Sequence, residues 1–116
     1  MGIIYNQKDL TTREYPRGRW EGAVSITKAR NGFRKEGLEL VSGRNRKVNN
    51  VLEGCTGFVR GPSGKLAYFC LDAAGPFGRC YYRTAKHDKD YQGGNNHFCH
   101  PDDIYAAVRD LLQRGY

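Results

Sequence analysis

The chain has 116 residues, a formal net charge of +7 and a mean hydropathy of −0.72, which leaves room for one domain over residues 1–116 with a small core. No apolar run reaches membrane-spanning length and no secretory leader is recognisable, so we expect neither a membrane nor an exported protein. Its four cysteines include no Cys-x-x-Cys pair, and we expect reduced thiols in the cytoplasm.

Positive charge is concentrated between residues 17 and 47, where nine cations accompany three acids. A field of this sign attracts polyanions and phosphorylated ligands. Taken alone, it is equally typical of a solvated basic surface. The small core also predicts self-association, because a second copy would bury apolar surface that one chain leaves exposed.

The first third of the chain predicts an irregular lead-in followed by strands. Residues 1–20 are polar and interrupted by proline and glycine. Residues 23–27 alternate and are β-branched, which favours a strand, and the Asn31-Gly32 pair favours a hairpin turn after it.

The middle of the chain predicts further strands. Residues 38–41 alternate again and predict a second strand, whereas the basic, amide-rich residues 43–50 predict a connection. Residues 57–60 resume the strand pattern, and residues 61–64, with the sequence Gly-Pro-Ser-Gly, give a strong turn signal.

The segments 65–71 and 79–84 predict the most convincing antiparallel pair. A register that places Cys70 opposite Cys80 would make a disulfide conceivable, but the expected reducing compartment argues against one.

A helix is predicted at the end of the chain. Pro101 suits its first turn, and Asp102 and Asp103 suit the positive end of its dipole. An apolar stripe follows at helical spacing: Ile104, Ala107, Val108, Leu111 and Leu112. The order of elements predicts an α+β fold, an antiparallel sheet of about five strands covered by a C-terminal helix.

Residues 81–101 contain the densest collection of rings, amides, cations and glycines in the chain. Rings can stack on a base, asparagines can bind ribose, and cations with a glycine pair can bind phosphate, so we interpret this segment as a nucleotide-recognition loop. An ordinary polar surface loop is the alternative. The candidate ligand-binding residues are Arg30, Arg60, Tyr82, Arg83, Lys86, Asn95, Asn96 and Arg109, with Tyr91 or Phe98 as other stacking rings and the Gly93-Gly94 amides as further donors.

Metal binding and catalysis are disfavoured, and we expect no cofactor. His97, Cys99 and His100 lie close together, with Cys80 and His87 upstream, but the spacing is not that of a zinc site. His97 or His100 could activate Cys99 as a nucleophile, and His87 beside Asp88 and Asp90 could act as a base, yet no oxyanion-hole or elbow motif accompanies either grouping.

Nucleic-acid binding is the competing hypothesis. A basic segment could contact phosphates and several rings could stack on bases, but no known nucleic-acid-binding module is recognisable. The residues concerned are Arg34, Lys35, Arg44, Arg46 and Lys47, with Trp20, Tyr68 and Tyr82 as rings.

Four short segments, 58–60, 68–72, 82–87 and 90–96, resemble the Thoeris anti-defence 1 family of small phage proteins. The resemblance extends over most of residues 13–112. It implies a protein without catalytic activity that binds cyclic ADP-ribose isomers, made by a TIR-domain enzyme of the host, and sequesters them intact in the bacterial cytoplasm.

The resemblance also implies an antiparallel sheet with C-terminal helices packed between subunits, assembled as a homodimer or homohexamer. In such an assembly Arg109 would contribute to a neighbouring subunit's site, and a second site could take a cyclic oligonucleotide. The alternative function is a small basic phage inhibitor that binds nucleic acid or a nucleoprotein defence complex.

Overall fold

In the part of the chain that the structure describes, five antiparallel strands form one sheet whose spatial order follows the chain, and two helices accompany it. The computed structural model describes residues 23–72, 79–92 and 94–114. The elements are α1 (Ile26–Lys35), β1 (Glu39–Val48), β2 (Val51–Arg60), β3 (Leu66–Asp72), β4 (Arg79–Ala85), β5 (His97–Phe98), a 3-10 turn (Pro101–Asp103) and α2 (Ile104–Gln113). The α+β class with a five-stranded antiparallel sheet is confirmed, whereas the predicted lead-in at 1–20, Trp20 and Gly93 lie outside the described residues.

The first predicted strand and its Asn31-Gly32 turn are wrong, because this segment forms α1. The Ser25 hydroxyl caps the helix by accepting a hydrogen bond from the Lys28 backbone N–H at 3.1 Å. Ala29 and Phe33, four residues apart, are both buried. Their helical spacing outweighs the short β-branched alternation that precedes it.

The predicted connection at 43–50 is also wrong, because most of it belongs to β1. The strand continues to Val48, which pairs with Val51 across a two-residue turn at Asn49 and Asn50. These two asparagines have φ angles of 52° and 65°, the left-handed conformation that a type I′ hairpin turn requires. β1 is an edge strand whose residues from 42 to 48 are exposed, so its polar composition does not conflict with strand structure.

Strands β3 and β4 pair as predicted, but in a register shifted by one residue. Leu71, not Cys70, lies opposite Cys80, and Tyr68 lies opposite Arg83. A one-residue shift changes which side chains share a face of the sheet. All four cysteines belong to the described residues and none is in a disulfide; the Cys80 sulfur lies 3.9 Å from that of Cys99.

One face of the sheet, the helical face, packs against α1 and α2. Phe33 of α1 contacts Phe69 of β3 and Tyr105 of α2, with ring centroids 4.8 Å apart in both pairs. The predicted stripe of α2 is confirmed: Ile104, Val108, Leu111 and Leu112 are buried and Ala107 packs at their margin. The stripe therefore packs within its own chain.

No helix in the described part of the chain is long and apolar enough to span a membrane.

Candidate functional site

The other face of the sheet, the opposite face, carries a continuous series of aromatic rings. Phe58 of β2 contacts Tyr68 of β3, with centroids 5.1 Å apart, and Tyr68 lies 6.2 Å from Tyr81 of β4. Phe98 of β5 extends the series at 5.4 Å from Tyr81 and, at the edge of the sheet, also packs against the core of the helical face. We call these four rings the aromatic strip.

Tyr91 reaches the strip from a loop, residues 86–92, that the Asp90 carboxylate organises. Its two oxygens accept hydrogen bonds from the backbone N–H groups of Lys86, at 2.9 Å, and Gln92, at 3.3 Å. These N–H donors, that of Lys86 above all, lower the pKa of Asp90 below its ordinary value. The loop holds the Tyr91 ring 5.3 Å from Phe58 and 5.9 Å from Tyr68, nearly perpendicular to both.

Arg83, predicted to contact a ligand, lies beneath this loop. It is only 4% exposed, and its guanidinium carbon lies 4.6 Å from the centre of the Tyr68 ring. Its N–H groups donate to the carbonyl oxygens of Asp90, at 2.8 Å, and Thr84, at 3.2 Å. The residue therefore supports the loop from inside, and the hydrogen bonds compensate for burying its charge.

Tyr82, the first choice as a stacking ring, belongs to the core of the helical face. It is 3% exposed and stacks on His97, with centroids 5.2 Å apart and planes inclined by 29°. The shifted register explains this outcome, because Tyr82 pairs with the core residue Phe69. The same shift places Arg83 on the opposite face.

Three other predicted residues, Lys86, Asn95 and Asn96, are exposed beside β4. Gly94, with a φ of 73°, brings the chain close to this strand, since a β-carbon there would lie 2.9 Å from the Thr84 hydroxyl oxygen. Lys86 thus begins the loop that carries Tyr91, and the two amides follow that loop.

The remaining predicted arginines do not join this group. Arg60 ends β2, and its nearest guanidinium nitrogen lies 3.6 Å from a Glu39 carboxylate oxygen. Arg30 is exposed on α1, and Arg109 of α2 forms an ion pair with Glu36. Both helices pack on the helical face, so the predicted site residues are divided between the two sides of the sheet within one chain.

A cavity of about 160 Å³ opens on the sheet between β1 and β2, next to the aromatic strip. Tyr91 forms one wall and remains 57% exposed, while Arg44 forms another. Among the described residues Arg44 has no ion-pair partner. The other lining residues are Ser42, Gly43, Thr56, Gly57 and Phe58. Sequence reasoning considered Arg44 only for nucleic acid and found no signal in Ser42 or Thr56, because their convergence depends on strand pairing.

The residues considered for zinc have structural roles here. The His100 Nδ1 accepts the Asp102 backbone N–H at 3.1 Å and caps the 3-10 turn, and the His87 Nδ1 accepts that of Lys89 at 3.2 Å. Cys80 is fully buried, and burial raises the pKa of its thiol. Over the described ranges, no group of three or more His, Cys, Asp or Glu side chains converges on a metal position.

Comparison with known proteins gave no match, whether with family models, curated proteins or solved structures. What the site can bind is therefore inferred from the side chains that line it. A partly exposed ring, a guanidinium and two hydroxyl-bearing residues around one cavity suit a flat ligand that carries negative charge.

Proposed function

We propose that this chain binds a phosphorylated, nucleotide-type signal of the cyclic ADP-ribose class on the opposite face of the sheet and holds it without cleaving it. The observation that carries the proposal is one cavity on this face that is lined by aromatic, cationic and hydroxyl-bearing side chains. Such a lining offers an aromatic surface to a base and positive charge to a phosphate, which covers the two recognisable parts of such a ligand.

The biological role we propose is that of a phage anti-defence sponge in the cytoplasm of the host bacterium, as the family resemblance implies. A sponge acts by mass action: each occupied site removes one signal molecule from the pool that activates the host effector. Its efficiency depends on affinity and on the number of sites, and no chemical step is needed.

We further propose that the working form is a homodimer or homohexamer. The cavity of about 160 Å³ is smaller than the roughly 300–1,000 Å³ typical of small-molecule pockets, so a second subunit would complete the enclosure. Arg30 and Arg109, which lie on the helical side, would then reach a ligand held by a neighbouring subunit. A larger assembly could add a separate site for a cyclic oligonucleotide.

Titration calorimetry with purified cyclic ADP-ribose isomers tests the proposed function. We expect saturable binding of one isomer, and the ligand recovered after denaturing the protein should have an unchanged mass. Inorganic phosphate at the same concentration serves as the control for non-specific anion binding. Lack of binding to every isomer, or recovery of an opened product, would contradict the proposal.

A basic inhibitor of nucleic acid or a nucleoprotein complex is the second candidate. It is favoured by the exposed cations of β1, among them Lys47 and Arg44, the second of which lines the cavity beside the aromatic strip. Binding of this kind releases counterions, so affinity for a single-stranded oligonucleotide should fall steeply as salt rises. Oligonucleotide binding with that salt dependence, together with indifference to cyclic ADP-ribose, would favour this candidate over the sponge.

A further inference from the structure

We propose that Arg44 and Tyr91 form the recognition pair of the site, with Arg44 binding a phosphate and Tyr91 stacking on the adjacent base. This inference rests on the proposed function and names the side chains that select the ligand. In this inference Tyr91 and Arg44 take the roles that the sequence assigned to Tyr82 and Arg83. Tyr82 lies in the core, and Arg83 lies beneath the Tyr91 loop.

Charge pairing points to Arg44. On the same face, Arg46 lies 3.4 Å from Asp72 and Arg60 lies 3.6 Å from Glu39, so each already has a carboxylate nearby. Arg83 is buried and donates to two backbone carbonyls. Arg44 lines the cavity and has no acidic partner within the described segments, so a phosphate can bind its guanidinium without first displacing a carboxylate.

Ring exposure points to Tyr91. Phe58 and Tyr68 are almost completely covered, whereas more than half of Tyr91 is accessible. Because its ring stands at 73° and 78° to those two, they hold it upright at the cavity wall while aromatic surface stays available to a base.

The surroundings of this pair suit a nucleotide and fix the pair in place. Ser42 and Thr56 bring hydroxyl groups to the same cavity, and these can hydrogen-bond a sugar hydroxyl or a phosphate oxygen. Arg83 and the Asp90 carboxylate hold the loop in its position before any ligand arrives. Such preorganisation reduces the entropy lost on binding.

Calorimetry with cyclic ADP-ribose, adenosine and ribose 5-phosphate tests the pair, since the last two carry a base without phosphate and a phosphate without base. We expect Arg44→Gln to weaken cyclic ADP-ribose binding about tenfold or more, as loss of a charged hydrogen bond does. Tyr91→Ala should weaken it by a similar factor through lost stacking, while Tyr91→Phe should stay near wild type.

The fragments and a charge control make the test specific. Arg44→Gln should affect ribose 5-phosphate more than adenosine, and Tyr91→Ala the reverse. Lys28→Gln, which removes an exposed cation from α1, should leave all three affinities unchanged. Circular dichroism and thermal unfolding of each variant establish that the fold is retained.

The outcomes separate this inference from the proposed function. If wild-type protein binds the cyclic isomer and either Arg44→Gln or Tyr91→Ala retains full affinity, the recognition pair is overturned while the sponge function stands. Equal losses in Arg44→Gln and Lys28→Gln would also overturn it, because they would indicate a general charge effect. If wild-type protein binds no isomer, both proposals fall.

Discussion

Asp90 shows how one side chain can organise a site that it does not line. Its carboxylate accepts two backbone N–H groups of its own loop, and its backbone carbonyl accepts the buried Arg83. These bonds determine where Tyr91 meets the aromatic strip. Asp90 is therefore a positioning residue, and its charge state should control the order of the loop.

Acid should loosen this loop. Because the folded state lowers the pKa of Asp90 below its ordinary 3.8, the ionised carboxylate stabilises the loop above that value and loses this effect as the pH falls through the lowered pKa. We expect the hydrogen-exchange protection of the Lys86 and Gln92 amides to be constant from neutral pH to about 4 and to drop below it. Asp90→Asn should show reduced protection already at neutral pH, and Asp88→Asn, at an exposed neighbouring position, should not. Equal protection in all three proteins would contradict the role of Asp90.

Burial also determines the reactivity of single residues, namely the cysteine thiols. All four cysteines are buried, and burial raises the pKa of Cys55 to about 12. Since the thiolate is the reactive form, a buried thiol of raised pKa is a poor nucleophile.

Native protein should accordingly resist alkylation. We expect iodoacetamide at neutral pH to modify the four thiols slowly in the folded protein and completely in denaturant, as counted by intact mass. Rapid modification of any of them in the folded state would show that its side chain opens to solvent far more readily than its burial implies.

At the scale of elements, α1 and α2 meet where Gly32 faces Tyr105. A β-carbon at Gly32 would lie 2.6 Å from two atoms of the Tyr105 ring, which is itself packed edge-on against Phe33. The glycine that looks like half of a turn signal in the sequence is thus required for close helix packing. Gly32 is needed here because it has no side chain, rather than for its backbone freedom.

Gly32→Ala should therefore destabilise the fold despite the better helix propensity of alanine. The gain in propensity is about 1 kcal/mol, whereas displacing the Tyr105 ring costs about 1–3 kcal/mol and also disturbs its contact with Phe33. We expect a lower free energy of unfolding in chemical denaturation. Asn31→Ala, one residue earlier and exposed, is the matched control and should stabilise by about 0.5 kcal/mol. A Gly32→Ala protein more stable than wild type would show that the helices can separate without loss.

For the whole molecule, the central fact is that the sheet divides the predicted site residues. Tyr91 and Arg44 belong to the opposite face, while Arg30 and Arg109 belong to helices on the helical face. In addition, Arg109 already forms ion pairs with Glu36 and Asp110. A site that uses both groups would need two subunits.

Subunit mixing tests that arrangement. We expect Tyr91→Ala and Arg109→Ala each to lower affinity for cyclic ADP-ribose, the second because Arg109 would donate a cation across the interface of the proposed assembly. When the two variants are unfolded together and refolded, mixed assemblies should regain intact sites, because one subunit supplies Tyr91 and the other Arg109. Absence of recovery, with mixing verified by native mass spectrometry, would restrict the site to a single chain.

Local patterns determined a large part of this protein from the sequence alone. The strand signals at 57–60 and 65–71, the turn at 61–64 and the apolar stripe of α2 depend on residues close together in the chain, and all are present in the structure. The α+β class follows from their order. Each of these elements is predicted from the spacing of residues within it, so the prediction does not depend on distant contacts.

Only the tertiary structure decided which side chains share a face. The register of β3 against β4 differs by one residue from the sequence prediction, and that single step places Tyr82 in the core and Arg83 under the Tyr91 loop. Likewise, Arg46 has a carboxylate beside it while Arg44 has none among the described residues, since Asp72, which pairs with Arg46, lies 26 residues further along the chain. Strand pairing and burial depend on residues that are far apart in sequence, and local composition does not indicate which of them will come into contact.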